Sequence, residues 1–180
     1  MAFVPLNVGV LSALGMKTRQ ILGLILLEAI ALVFGIASVV YAQRENILVY
    51  PTGLVATVIT MYIFFQDRLL GDMMINLYYS LMSIYGWWNW SRRKGGEVVV
   101  HISRTTRREK GIGVLLFVGT AIFNYGVYHI FSVDIGPTNY VDIFTSGIFF
   151  TAMWYMAIKK LENWTLWILA DIITVPLYAY

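Results

Sequence analysis

Three side chains near the C-terminal end, Trp164, Trp167 and Asp171, stand at i, i+3 and i+7 within the apolar run 163–178. On a helix all three share one face. Two indole planes beside a carboxylate suit a flat ring that is positively charged or electron-poor. The indoles offer stacking surface and the negative face of their π-systems, and the acid offers charge compensation. Asp171 lies eight residues past Asn163, about 12 Å along a helix axis. That brings it toward the middle of a hydrocarbon core about 30 Å thick. An acid at that depth is costly unless it faces a cavity or a partner. Pro176 interrupts the backbone ladder a turn later, as happens at the sites and hinges of transporters.

Other site chemistry is hard to assemble from this chain. With no Cys there is no disulfide, no Cys-ligated metal and no thiol nucleophile. The two histidines, His101 and His129, do not have the spacing of a metal-ligand pair. No cofactor or metal is expected. An enzyme would need a converging nucleophile, base or metal, and the sequence offers none.

The elements that must position the aromatic–acid face are membrane helices. The chain is 59% hydrophobic and 13% charged over 180 residues, with a mean hydropathy of +0.70. A soluble domain of this length could not hide that much apolar surface. Six spans are predicted, at 21–42, 47–65, 69–90, 111–131, 140–158 and 164–180. The expected organisation is a single transmembrane domain, 1–180. Within it are a first bundle (1–90, with its N-terminal segment), a basic loop (91–110), a linker span (111–131) and an incomplete second bundle (140–180). Segment 1–16 is apolar without a basic leader and reads as a surface or interfacial stretch.

Basic residues are placed unevenly. Arg44, seven residues in 91–110, and Lys159 with Lys160 lie on one side, against Lys17, Arg19 and Arg68 on the other. By the positive-inside rule the 91–110 loop is cytoplasmic and the N-terminus outside. The pI of about 9.1 comes mostly from that loop and reports topology, not nucleic-acid binding.

Polar groups inside the spans mark either helix contacts or a path. Asn76, Tyr79, Ser80, Ser83 and Trp87 form one stripe on the third span; the serines suit helix contacts, and Asn76 a functional role. Trp88 and Trp90 fit an interfacial belt, with Trp87 turned inward. Asn124 on the fourth span needs a partner, while His129 sits near the interface. Glu28 suits a helix-pairing role as well as a ligand role. Asp142 fits the N-terminus of the fifth helix, where negative charge is stabilised.

An internal repeat is also visible. Arg44-Glu45-Asn46 before the second span resembles Lys160-Leu161-Glu162-Asn163 before the sixth. Both pairs lie on the same side, as in parallel transporter repeats. The first half continues into a third span, so the repeat predicts one more span beyond Tyr180.

These features resemble the PnuC family of nicotinamide riboside transporters. The resemblance is carried by Arg44-Glu45-Asn46 before Pro51-Thr52-Gly53, Gly71-Asp72 before Asn76, and Tyr85-Gly86-Trp87-Trp88-Asn89-Trp90. Asp142 with Thr145, Glu162-Asn163-Trp164-Thr165-Leu166-Trp167, Asp171 and Leu177-Tyr178 complete it. It implies an all-α, seven-span fold of two three-helix bundles joined by a linker, similar to the sugar-transporting SWEET proteins; against that pattern six spans are predicted here and a seventh is expected beyond them. It also implies facilitated uptake of nicotinamide riboside across a bacterial inner membrane, with trapping by phosphorylation. Trp164, Trp167 and Asp171 would form the ring-binding face. Asn76, Tyr79, Trp87 and Asn124 join it on their positions within the spans. Thiamine, another planar cation, is the alternative substrate, and a non-transporting scaffold or sensor the alternative of another class. The lipid bilayer and a small molecule are the expected partners, with a homo-oligomer left open.

Overall fold

The computed structural model describes residues 17–66, 70–94, 97–98, 100–130 and 136–178. The expected surface segment 1–16, together with Asp67 and Arg68, lies outside the described residues, as do the side chains of Asp72 and of residues 176–178.

Each predicted span is a helix: α1 (Thr18–Gln43), α2 (Val49–Gln66), α3 (Leu70–Ser91), α4 (Arg107–Ile130), α5 (Pro137–Ala157) and α6 (Glu162–Tyr178). By length and composition α1, α2 and α4 are apolar enough to cross a membrane. Their outward residues are apolar, with Leu26, Val33, Leu115 and Ile122 each more than half exposed, as lipid-facing positions should be. The loop before α4 holds a short antiparallel pair, β1 (Arg93–Lys94) and β2 (Glu97–Val98), in register Arg93 to Val98.

Caps explain where two helices depart from their predicted starts. α4 begins four residues before the expected Gly111 because Thr106 and Glu109 form a capping box. Glu109 Oε2 accepts the Thr106 N–H at 2.7 Å, and the Thr106 hydroxyl accepts the Glu109 N–H at 3.3 Å. α5 begins at Pro137, the helix position where a missing N–H costs nothing. Its opening is closed by the Gly136 N–H donating to Asn139 Oδ1 at 3.0 Å.

The chain divides into two compact units, Met1–Ser91 and Arg92–Tyr180. In the first, α1 packs on α2 and α2 on α3. Ile21, Leu24 and Ile63 form a buried cluster, flanked by Leu27 and Ile59. The Ser38 hydroxyl donates to the Val49 carbonyl at 2.8 Å. Between α2 and α3, Thr57 and Ser80 hydroxyls are 2.9 Å apart, and the buried Tyr50 ring meets Trp90 edge-on at 5.1 Å. Gly86 makes room for that ring; a Cβ there would overlap it.

In the second unit α4 packs on α5 and α5 on α6. Gly113 admits the Tyr155 hydroxyl, Gly147 admits Phe117, and the Thr151 hydroxyl donates to the Gly113 carbonyl at 3.2 Å. Ala152, Ala157 and Ala170 are fully buried, small side chains that let helix backbones approach.

The turns α1–α2 and α5–α6 are built alike. Asn46 N–H reaches back to the Tyr41 carbonyl at 2.9 Å, and Lys160 N–H to the Tyr155 carbonyl at 2.9 Å. Glu45 and Lys159 hold the left-handed position, at φ 55° and 58°. Both are Schellman closures. The next helices then open with equivalent bonds, Val49 N–H to Asn46 and Asn163 N–H to Lys160. Residue by residue, Tyr50 therefore corresponds to Trp164, Gly53 to Trp167 and Thr57 to Asp171. This register differs by three residues from the pairing of the two Glu-Asn dipeptides. Glu45-Asn46 forms the turn itself, whereas Glu162-Asn163 is already in the first turn of α6.

Candidate functional site

The final helix buries Asn163, Ala170 and Thr174 against its own unit and leaves Trp164, Ile168, Asp171 and Val175 exposed. Trp167 lies at the edge between these faces. Its indole is half-buried, 5.4 Å from the Phe149 ring of α5 and tilted 45° to it. The predicted trio thus keeps one helical arc, with Trp167 half-buried, Trp164 36% exposed and Asp171 exposed. In the first hairpin the corresponding Tyr50 and Thr57 are covered by α3. Phe149, which sequence reasoning missed, is a residue that packs against the Trp167 indole. It lies seven residues past Asp142 on the same helix face, a spacing that could have flagged it.

The start of α6 is fixed by the segment that precedes α4. Glu162 accepts the Thr105 N–H with both carboxylate oxygens, at 3.1 and 3.0 Å. Ser103 runs alongside Lys160: its N–H donates to the Lys159 carbonyl and its carbonyl accepts the Leu161 N–H, at 3.2 and 3.1 Å. Lys160 Nζ completes the tie, 2.8 Å from Glu109 Oε1 and 2.9 Å from Ser103 Oγ. Asn163 donates its side-chain amide to the Lys160 carbonyl. Burial alone would raise the Glu109 carboxyl, but hydrogen bonds from Lys160 and Thr106 outweigh it and hold it below its ordinary value. Glu162 is treated alike: burial would raise it, and hydrogen bonds from backbone N–H groups and Thr105, with Lys110 nearby, hold it low.

The remaining predicted residues are placed as follows. Asn76 is buried and Tyr79 half-buried on α3. Ser80 bonds to the Asn76 carbonyl at 2.9 Å as well as meeting Thr57, so Ser80 joins α3 to α2. Trp87 is 42% exposed within its unit; Trp90 is the indole that packs inward, because Gly86 lets Tyr50 reach it. Asn124 is half-buried on the α4 face that carries Gly113, Phe117 and Tyr128, all of which contact α5. Asp142 is not in the first turn of its helix, as expected from the sequence, because α5 starts earlier, at Pro137. Its Oδ2 accepts the Tyr128 hydroxyl at 2.9 Å instead.

Apolar helices packed as antiparallel hairpins, with an aromatic–acid arc on the last of them, define a helical membrane protein. Residues 25–180 match the family model described as nicotinamide mononucleotide transporter, and the chain belongs to that family. It is 28% identical over 160 residues to the nicotinamide riboside transporter PnuC of Neisseria mucosa, covering 85% of this chain and 59% of that protein. It is 23% identical to the Escherichia coli protein of the same name, covering 85% of this chain and 74% of that one. The crystal structure of a vitamin B3 transporter, PnuC, is similar at a TM-score of 0.64 and 25% identity, over 85% of this chain and 66% of that chain. The chain thus spans about 60% of the length of the Neisseria relative.

Proposed function

We propose that this chain carries nicotinamide riboside across the bacterial inner membrane by facilitated diffusion. The observation that carries this reading is the open arc of α6. Trp167 stands against Phe149 at a 45° tilt, and Trp164, 36% exposed, and the exposed Asp171 lie on the same arc. A pyridinium ring stacks on the indoles and its charge is met by the carboxylate. Asn76, Tyr79, Trp87 and Asn124 supply further polar and aromatic contacts along the path. The 91–110 loop is cytoplasmic and the N-terminus outside, on the distribution of basic residues.

The family description names the mononucleotide, whereas the relatives' names give the riboside. The charge on this arc favours the riboside. A phosphate brought near Asp171 in a low-dielectric setting meets like charge. Thiamine is a planar cation without phosphate and fits the same logic, so it belongs in the test.

Purified protein in proteoliposomes tests the proposal with labelled riboside, mononucleotide and thiamine. Saturable riboside entry without an ion gradient, and exclusion of the mononucleotide, is the expected result. Preference for the mononucleotide or for thiamine would overturn the substrate, and entry of none would overturn transport.

A further inference from the structure

The equivalence of the two turns extends backward into the preceding helices. Glu28 stands thirteen residues before Tyr41, and Asp142 thirteen before Tyr155. The two hairpins therefore carry a carboxylate at the same position, about 20 Å along the helix from the turn. In a core about 30 Å thick, that depth lies within the half of the membrane remote from the basic loop.

Their surroundings differ. Asp142 has a resident donor, the Tyr128 hydroxyl of α4. Glu28 is half-buried on the α1 stripe that includes Ile21, Leu24, Ala31 and Ser38, most of it apolar and packed on α2. Among the described residues it forms no hydrogen bond or ion pair. A carboxylate set among apolar side chains without a donor is destabilising until a positive group comes to it. Helix pairing, one of the two roles open to Glu28 from sequence, has no partner here to support it.

We propose that Glu28 is a specificity residue that recognises the positive charge of the transported nucleoside, whereas Asp142 is its structural counterpart, satisfied by Tyr128. This rests on the transport reading above. It makes a sharp demand: loss of the Glu28 charge must matter for a cationic ligand and not for a neutral one of the same shape.

Nicotinamide riboside and its neutral 1,4-dihydro form supply that pair of probes. Binding of each to purified protein is measured for wild type, Glu28→Gln, Glu28→Asp and Asp142→Asn. Glu28→Gln should weaken the cation by about tenfold or more, the scale of a charge-assisted contact, and leave the dihydro form within about twofold. Glu28→Asp should keep most of the cation binding. Asp142→Asn should move both probes alike. The assignment is overturned if Glu28→Gln changes both probes in parallel or changes neither, or if Glu28→Asp is as weak for the cation as Glu28→Gln. If wild type binds neither probe, the transport reading falls and takes this assignment with it.

Discussion

Lys160 Nζ lies 2.8 Å from Glu109 Oε1, so the turn between α5 and α6 is pinned to the first turn of α4. The two side chains are 11% and 25% exposed, which places the pair between a surface bridge and a buried one. Lys160→Met removes the ion pair and the bond to Ser103, and leaves Glu109 with the Thr106 contacts alone. A loss of about 1–2 kcal/mol is expected. A lower melting temperature in detergent, with Lys159→Met as the control, checks it.

The same carboxylates set an acid limit. Glu109 and Glu162 are both held below their ordinary value of 4.5. A carboxyl whose folded value is depressed contributes stability that is fully present above the unfolded value and is lost as pH falls through the folded one. The melting temperature of the protein should therefore be level above about pH 5 and fall below it. In Lys160→Met the fall should be shallower, because one of the two depressions is reduced. A fall of equal size in both proteins would show that other groups set the acid limit.

Trp167 is expected to contribute ring stacking worth on the order of 2 kcal/mol. Trp167→Ala should then weaken riboside binding roughly 30-fold, and Trp167→Phe should lose less. Phe149→Ala removes one ring contact and leaves the indole itself, so a smaller loss is expected there. Trp88, 59% exposed, is the control: Trp88→Ala should change affinity little. Calorimetric titration of the folded variants decides it, and a Trp88→Ala defect larger than that of Trp167→Ala would move the site off α6.

Tyr128→Phe removes the hydroxyl that donates to Asp142 and keeps the ring. Hydrogen bonds between membrane helices are modest, averaging about 0.6 kcal/mol, while a partly buried carboxylate left unpaired costs about 1–3 kcal/mol. A stability loss in that upper range is expected, with Asp142→Asn milder because the amide sheds the charge. Equal losses in both variants would place the cost in packing instead.

Two glycines separate close packing from helix propensity. Gly86→Ala puts a Cβ into the ring of Tyr50, which is 1% exposed and has no room to give. Overpacking of this kind costs about 1–3 kcal/mol. Gly23 has nothing within 4 Å of its Cβ position, so Gly23→Ala should be neutral or stabilising by up to about 1 kcal/mol. Thermal melts of the two variants should move in opposite directions.

The sequence by itself determined the helices and the arc. Apolar run length marks each span, because a helix rises a fixed distance per residue and the bilayer has a fixed thickness. The helical period alone puts Trp164, Trp167 and Asp171 on one side. The T-x-x-E box at Thr106–Glu109 was also legible, though its charged neighbours read as loop. The tertiary structure decided which side of each helix is covered. Trp90 packs inward while Trp87 is exposed, because Gly86 opens a place for Tyr50. Lys160, which read as a topology signal, is a buried tie to Glu109. The repeat register moved by three residues because backbone closure at the left-handed Glu45 and Lys159 sets it, and side-chain likeness does not. Periodicity fixes directions around one helix axis. Which direction is buried depends on the neighbour that packs there, and that neighbour is remote in the chain.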